Sequence, residues 1–265
     1  MKLIVNGHPA YAYTGGKTFD PALPCVVFVH GALNDHSVWT LLARWYAHHG
    51  WSVLAVDLPG HGRSGGAPLA SVEAMAAWLH ALLDAAGVRQ AALVGHSMGS
   101  LVALEAAGRA SALVLVGTAY PMKVSEALLA TARDAPETAM AMVNAFSHSL
   151  ASAKPGYPGP GAWLRGGALA LMRRLQSRQT GLNLFENDFQ VCNRYAGGEA
   201  AAARVGCPVS LLLGRLDQMT PPKAASALAA MFGAAGVHML DCGHDLMGED
   251  PEGTLRVLRK LLPAR

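Results

Sequence analysis

Short apolar runs alternate with longer segments of mixed polarity along most of the chain. The run "CVVFVH" (25–30) is almost uninterrupted, which is typical of a strand covered on both faces. Two shorter runs, at 2–5 and 11–14, predict a hairpin. Further strands are predicted at 52–57, 91–95, 112–117, 209–214 and 237–240. Strands separated by helices predict an α/β fold with a mainly parallel, eight-stranded sheet and right-handed crossovers.

Capping signals mark several of the helices that flank these strands. Ser71 precedes a segment of helical periodicity that Gly87 closes. Ser37 is predicted to cap a helix that ends before Gly50. Asp250 is predicted to cap the last helix, which begins with a proline.

Between Pro121 and roughly Arg204 the alternation of strands and helices stops. Helical stretches at 136–150 and 162–179 flank the Pro/Gly-rich joint "KPGYPGPG" (154–161), and no convincing strand occurs. We therefore predict an α/β core domain formed by residues 1–120 and 204–265. A helical insertion, residues 121–203, interrupts it.

Composition and charge exclude several classes of protein. The formal net charge of +3 over 265 residues has no basic run, which argues against nucleic-acid binding. No apolar stretch approaches the ~18 residues of a membrane span, so no membrane partner is expected. The N-terminal "MKLIVNGHPA" has too short an apolar stretch for a signal peptide.

The cysteines predict a reducing compartment. All four are far apart and form no Cys-x-x-Cys pair, so we expect free thiols in a cytoplasmic protein and no metal site. They are Cys25, Cys192, Cys207 and Cys242. The segment "GHGRSG" (60–65) fits G-x-G-x-x-G, but it follows the fourth predicted strand instead of the first. No cofactor is therefore expected.

The segment "AALVGHSMGS" (91–100) displays one serine at the junction of a predicted strand and a predicted helix. Ser97 lies between Gly95 and Gly99, and glycines there relieve the crowding of a sharp turn. Its side chain would project beside the free N–H groups that begin the helix. This strand–turn–helix pattern is the nucleophile elbow G-x-S-x-G, so Ser97 is the candidate nucleophile.

A base and an orienting acid are available in loops that follow later strands. His244 in "VHMLDCGHDLMGEDPE" (237–252) is the candidate base, and Asp217 in "LLLGRLDQMTPP" (211–222) is the candidate acid. All three candidates lie where strands end, the edge at which open α/β sheets build sites. Two alternatives stay open: Asp217 only caps the following helix, or Asp241 is the acid.

These motifs resemble the α/β-hydrolase family, in its serine-nucleophile branch with a helical cap. "VHGALND" (29–35) and "DLPGHGRS" (57–64) extend the similarity across the chain. The resemblance implies an oxyanion hole formed by the main-chain N–H groups of Ala32 and Met98, with Leu33 as a substitute for Ala32. A serine at the elbow excludes the relatives that use aspartate there.

The resemblance implies an esterase-like enzyme, a carboxylesterase that hydrolyses esters or thioesters with a small to medium, largely apolar acyl group. Substrate contacts are expected from Leu33, Tyr120, Phe146, Trp163, Met219 and Leu246. Two alternatives remain: a carbon–carbon bond hydrolase of aromatic degradation, whose elbow often has Asn where this chain has His96, or a ligand-binding member without turnover.

Arginines in the insertion suggest a second class of partner. Arg165, Arg173, Arg174 and Arg178 either form a solvated helix face or contact an anionic substrate tail or acyl carrier. The oligomeric state is not predicted.

Overall fold

The computed structural model describes residues 1–233 and 236–264. Within them, eight strands form one sheet, in the order β1-β2-β4-β3-β5-β6-β7-β8. The strands are β1 (Lys2–Val5), β2 (His8–Tyr13), β3 (Cys25–Val29), β4 (Ser52–Val56), β5 (Ala91–His96), β6 (Ala110–Val116), β7 (Val209–Gly214) and β8 (Val237–Leu240). Strands β3 to β8 run parallel, whereas β1 and β2 pair antiparallel at one edge. The mainly parallel, eight-stranded sheet is confirmed.

The centre of the sheet is covered on both faces. Every residue of β3 and β4 is buried, as their continuous apolar runs predict. Leu54 and Val56 face one hydrophobic cluster, and Val53 and Ala55 face the other, on the opposite side of the sheet. The parallel strands therefore bring the ends that carry the candidate residues to one edge of a rigid sheet.

Helices pack on both faces of the sheet. They are α1 (Thr40–Ala47), α2 (Val72–Ala85), α3 (Met98–Glu105), α9 (Ser226–Phe232), α10 (Leu246–Glu249) and α11 (Pro251–Leu261). The predicted caps of α2 and α11 are confirmed, because Ser71 accepts from the Ala74 N–H at 3.1 Å and Asp250 from the Gly253 N–H at 2.8 Å. No helix among the described residues has the length and apolar character needed to cross a membrane.

The predicted cap at Ser37 is wrong. Asp35 instead accepts from the Ser37 N–H at 2.9 Å and begins a 3₁₀ turn, His36–Trp39, that precedes α1. Asp35 has an ionised oxygen and the extended backbone that an N-cap requires, so it is the better acceptor.

Five helices lie between β6 and β7 in the described residues. They are α4 (Glu126–Asp134), α5 (Pro136–Phe146), α6 (Leu164–Ser177), α7 (Leu184–Arg194) and α8 (Gly198–Ala203). The two predicted helical stretches correspond to α5 and α6, which both end earlier than expected. The helices α4, α7 and α8 lie outside the predicted stretches; Ser125 caps α4 and Asn183 caps α7.

These helices contribute to two hydrophobic clusters. Leu129, Met140, Leu175 and Phe185 belong to a small cluster formed by α4 to α7. The end of α7 and one face of α8 instead pack with the sheet, since Val191, Cys192, Ala201 and Ala202 share its cluster. Among the described residues the segment between β6 and β7 therefore has helices joined by turns and no strand, and its last part is built into the core.

Candidate active site

Ser97 sits on a strained turn between β5 and α3. Its φ of +53° lies in the left-handed region that non-glycine residues seldom adopt. The flanking glycines make this turn possible. A Cβ at Gly95 would lie 2.1 Å from the Gly99 carbonyl oxygen, and one at Gly99 would lie 2.4 Å from that of Val29. Local strain and close packing thus fix the serine at the carboxyl edge of the sheet.

The loop after β8 holds His244 against neighbouring elements. The main-chain N–H groups of His244 and Asp245 donate to the Ser147 carbonyl at 2.9 and 3.1 Å. The buried carboxylate of Glu249 accepts from the N–H groups of Gly243 and Ser149 at 3.2 and 3.0 Å. The segment after α5 is therefore tied to the loop that carries the histidine.

Asp217 lies beside the ring of His244. Its Oδ2 accepts from His244 Nδ1–H at 2.8 Å, which leaves Nε2 as the nitrogen able to accept a proton. Its Oδ1 accepts from the N–H groups of Met219 and Thr220, both at 2.8 Å. The Thr220 hydroxyl lies 2.8 Å from Asp217 Oδ2 and 3.1 Å from His244 Nδ1. Sequence reasoning missed this threonine as part of the site.

The environment of Asp217 favours its ionised form. Burial alone would raise its pKa, but His244, the Thr220 N–H and the Thr220 hydroxyl outweigh burial and lower the pKa to about 2. The carboxylate therefore stays charged throughout the range in which a histidine base operates.

This lowered pKa makes an acid-stability prediction. Because the pKa of Asp217 is lower in the folded protein, its ionised form adds to the free energy of unfolding above the unfolded pKa of 3.8. This contribution is lost as the pH falls toward about 2. Urea unfolding between pH 5 and pH 2.5 should therefore show a steeper loss of stability for the wild type than for Asp217→Asn. If the free energy of unfolding falls equally with pH in both proteins, the prediction is contradicted.

The rival acid, Asp241, is in a different environment. Its side chain is 82% exposed and pairs with Arg215 at 2.6 Å on the surface. Asp217 does cap the turn that follows it, as the alternative held, but it also contacts His244.

Two main-chain amides lie next to the serine. A Cβ at Gly31 would come 3.1 Å from Ser97 Cβ, so the loop after β3 packs directly on the nucleophile position. Within residues 1–233 and 236–264, the N–H groups of Ala32 and Met98 have no acceptor in the protein. Leu33 N–H instead donates to Asp188 at 2.9 Å and is not free to replace Ala32.

His96 connects the elbow to the histidine loop. Its Nε2–H donates to the His244 carbonyl at 2.9 Å, and the two rings lie 4.7 Å apart. Burial and the neighbouring His244 lower the pKa of His96 to about 4, so its ring is neutral at pH 7. The sequence showed His96 only as a neighbour of the serine, because its contact spans 148 residues.

The family is decided by a match over most of the chain. A family model described as "Alpha/beta hydrolase family" matches residues 26–257. The chain belongs to the alpha/beta hydrolase family. Among solved structures, the enol-lactonase from Burkholderia xenovorans LB400 is similar, with a TM-score of 0.81 at 20% identity over 99% of both chains. Its likeness bears on the fold alone.

Curated relatives match over shorter regions. The sn-1-specific diacylglycerol lipase of Mus musculus is 41% identical over 86 residues, 32% of this chain and 28% of the lipase. A 2-succinyl-6-hydroxy-2,4-cyclohexadiene-1-carboxylate synthase of Salmonella paratyphi B is 37% identical over 87 residues, 33% of this chain and 34% of the synthase. These matches span about a third of each relative.

The candidate residues of this hydrolase border two cavities. One of about 330 Å³ is bordered by Ser97, Ala32 and Thr220. Most of its other lining is apolar: Met122, Val124, Leu128, Met142, Phe146, Phe189 and Met219. A second cavity, of about 630 Å³, is bordered by His244, His96 and Trp163. The nucleophile position and the candidate base thus each face an open space.

Three expected substrate contacts border these cavities. Phe146 and Met219 line the cavity of Ser97, and Trp163 lines the cavity of His244. The side chains of Phe146 and Trp163 are 48% and 60% exposed, so neither is part of the small helical cluster.

The other three expected contacts require correction, because their side chains are enclosed by the protein. Leu33 packs among α4 to α7, and Leu246 lies in the cluster beneath the sheet. Tyr120 packs against Tyr195 and donates its hydroxyl to the Ala196 carbonyl at 2.7 Å. The sequence pattern does not distinguish such core residues from residues that line a pocket.

One cluster has the composition of a metal site. Ligand atoms of Asp35, His36 and Asp57 lie within 4.8 Å of one another. Asp57 accepts from the N–H groups of His36 and Arg63 at 2.7 and 2.8 Å, and Asp35 pairs with Arg174 at 2.8 Å. These contacts join the loop after β3 to the loop after β4, and we propose no metal there.

Proposed function

We propose that this hydrolase cleaves carboxylic esters with a largely apolar acyl group through a Ser97-His244-Asp217 triad and an acyl-enzyme. The observation that carries the proposal is the 2.8 Å pair of Asp217 and His244 at the sheet edge that also displays Ser97. The strained elbow and the apolar cavity support it.

In the proposed mechanism, His244 Nε2 takes the proton of Ser97 as its Oγ attacks the ester carbonyl. The free N–H groups of Ala32 and Met98 then hold the oxyanion, and each such donor is typically worth about 3 kcal/mol of barrier. His244 passes its proton to the leaving alkoxide, and water attacks the acyl-enzyme by the same steps. Asp217 fixes the tautomer of His244 and stabilises the imidazolium.

The two cavities suggest how a substrate divides. We assign the acyl group to the cavity of about 330 Å³, because Ser97, which would carry the acyl group, and Ala32 border it, and most of its other lining is apolar. The leaving group, or the rest of a lactone ring, then enters the larger cavity beside His244. In this proposal the helices between β6 and β7 act as a cap, and the protein works in the cytoplasm.

Carbon–carbon bond cleavage is the second candidate. The 37% identity, over 87 residues, to the cyclohexadiene-carboxylate synthase supports testing a reaction other than ester hydrolysis. A screen of p-nitrophenyl esters of increasing chain length, run beside acyl-CoA thioesters and a vinylogous diketone, separates the candidates. Sustained release from the esters supports ester hydrolysis; cleavage of the diketone alone rejects it, and one stoichiometric burst indicates a ligand-binding protein.

An acyl carrier has no support from the arginines of the insertion. Arg173 pairs with Glu137 and Arg174 with Asp35, both at 2.8 Å, and Arg178 donates to the Gly62 carbonyl at 2.6 Å. Arg165 lies 3.5 Å from the carbonyls of Ala145 and His148. We therefore propose a free small-molecule ester as the substrate.

Phe146→Ala tests the acyl cavity. Because Phe146 borders the cavity of Ser97 and is half exposed, its truncation enlarges the cavity and should shift the preferred chain length toward longer acyl groups, with acetate ester turnover within about 3-fold. Trp163→Ala, in the other cavity, should alter the preference for the alcohol instead. The measurement is kcat/KM over a series of p-nitrophenyl and alkyl esters.

Leu150→Ala is the matched control, since this side chain is 85% exposed and borders neither cavity in the described residues. Equal losses on short and long esters with a lower melting temperature would contradict the acyl assignment of Phe146.

A further inference from the structure

A buried carboxylate of α7 contacts the loop that carries the Ala32 amide. Asp188 has no exposed surface, and its Oδ2 accepts from Leu33 N–H and from His61 Nε2–H, both at 2.9 Å. The three residues belong to the helical insertion, the loop after β3 and the loop after β4. The mechanism proposed above uses neither Asp188 nor His61.

The surroundings of His61 require a charged ring. Its Nδ1 lies 3.0 Å from the Pro59 carbonyl and its Nε2 lies 2.9 Å from Asp188, so both nitrogens face oxygen acceptors. Each nitrogen must then carry a proton. Burial alone would lower the pKa of His61, but the charge of Asp188 outweighs it and raises the pKa. The two residues form an ion pair inside the protein.

A second histidine, stacked beside this pair, stays neutral. The rings of His30 and His61 lie 4.9 Å apart, and burial together with the His61 charge lowers the pKa of His30 to about 4. The neutral ring donates from Nδ1 to the Gly31 carbonyl at 2.8 Å and accepts at Nε2 from Leu58 N–H at 3.2 Å. His61 and His30 therefore have different and fixed protonation.

These contacts hold the peptides on both sides of Ala32. The Gly31 carbonyl that His30 holds belongs to the same planar peptide as the Ala32 N–H, so it sets the direction of that N–H. Asp188 holds the N–H of the next peptide, at Leu33, whose φ of +49° is unfavourable for a leucine. The strained backbone needs such fixed partners on either side.

We propose that Asp188, paired with His61, is a positioning residue that holds the Ala32 N–H in place for the oxyanion. It thereby couples the docking of α7 to catalysis. This inference rests on the proposed ester hydrolysis at Ser97. Oxyanion donors act only where the charge develops, so a misplaced Ala32 amide should lower kcat much more than it raises KM.

Asp188→Asn is the test, because one amide cannot reproduce both contacts of Oδ2 with the charge that His61 requires. We expect kcat on p-nitrophenyl butyrate to fall roughly 10- to 100-fold with KM within about 2-fold. Affinity for a butylboronic acid inhibitor, whose tetrahedral adduct occupies the oxyanion position, should fall by a similar factor.

Glu186→Gln is the matched control. It removes a carboxylate from the same helix, but this carboxylate pairs with Arg133 on the surface. Its kcat and boronate affinity should match the wild type. If Asp188→Asn does not fold, His61→Gln, which removes the charge but keeps a donor, gives the same readouts.

Unchanged kcat and boronate affinity in the folded variant, with only a lower melting temperature, would overturn the positioning role. Failure of the proposed function has a different result, because the wild type itself would then neither release nitrophenolate nor react at Ser97 with a fluorophosphonate probe.

Discussion

Ser97→Ala is expected to lower ester turnover by about 10³-fold or more. The elbow displays one hydroxyl, and its strained φ of +53° is maintained by the packing of Gly95 and Gly99 whether or not the hydroxyl is present. Alanine therefore removes the attacking atom and leaves the fold in place. Steady-state release of nitrophenolate from p-nitrophenyl butyrate measures the loss, and the melting temperature reports the fold.

A fluorophosphonate probe gives an independent measurement. Mass spectrometry of the labelled wild type should locate the adduct at Ser97, and the alanine variant should not react. Ser177→Ala, at the exposed end of α6, is the control and should keep both activity and labelling. Labelling elsewhere, with activity intact in Ser97→Ala, would reject the proposed nucleophile.

The fold was predictable because its strongest signals are local. A buried parallel strand such as β3 has to be apolar on both faces, and the run "CVVFV" reports this directly. The antiparallel strand β2 was less clear. It begins at His8-Pro9, which are exposed at the edge of the sheet, so its predicted range of 11–14 began too late.

The insertion was only partly predictable, and for a physical reason. Its helix α7, "LFENDFQVCNR", packs Leu184, Phe185 and Phe189 into the small cluster and Val191 and Cys192 against the sheet. Its apolar residues recur at helical spacing, but polar residues that include the buried Asp188 lie between them. The segment is therefore polar on average, and the sequence analysis assigned α5 and α6 but not α7.

The candidate site was predictable where its residues follow strands in recognisable loops. Ser97, Asp217 and His244 were chosen for that reason. Contacts between distant segments have no such sequence signal: His61 meets Asp188 across 127 residues, and His96 meets His244 across 148. In the sequence, Asp188 is one charged residue on a surface-like helix, although the fold buries it completely.

Replacing the proposed catalytic acid, Asp217, is expected to have the second large effect on turnover. Asp217→Asn keeps the size of the side chain, but the amide replaces an acceptor by a donor opposite His244 Nδ1. The ring then favours the tautomer with its proton on Nε2, which cannot take the proton of Ser97. We expect kcat to fall by up to about 10⁴-fold with KM little changed, the size of effect measured for the same change in serine proteases.

The variant Asp241→Asn is the matched control, since it makes the same chemical change 24 positions along the chain, on the exposed partner of Arg215. An exposed ion pair is worth about 0–1 kcal/mol, so its activity should stay within a few-fold of the wild type. The segment after β6, "GTAYPMKVSE" (117–126), has no carboxylate before Glu126 and supplies no third candidate. Both variants are compared on one p-nitrophenyl ester at pH 8: an inactive Asp241 variant beside an active Asp217 variant would reject the proposed acid.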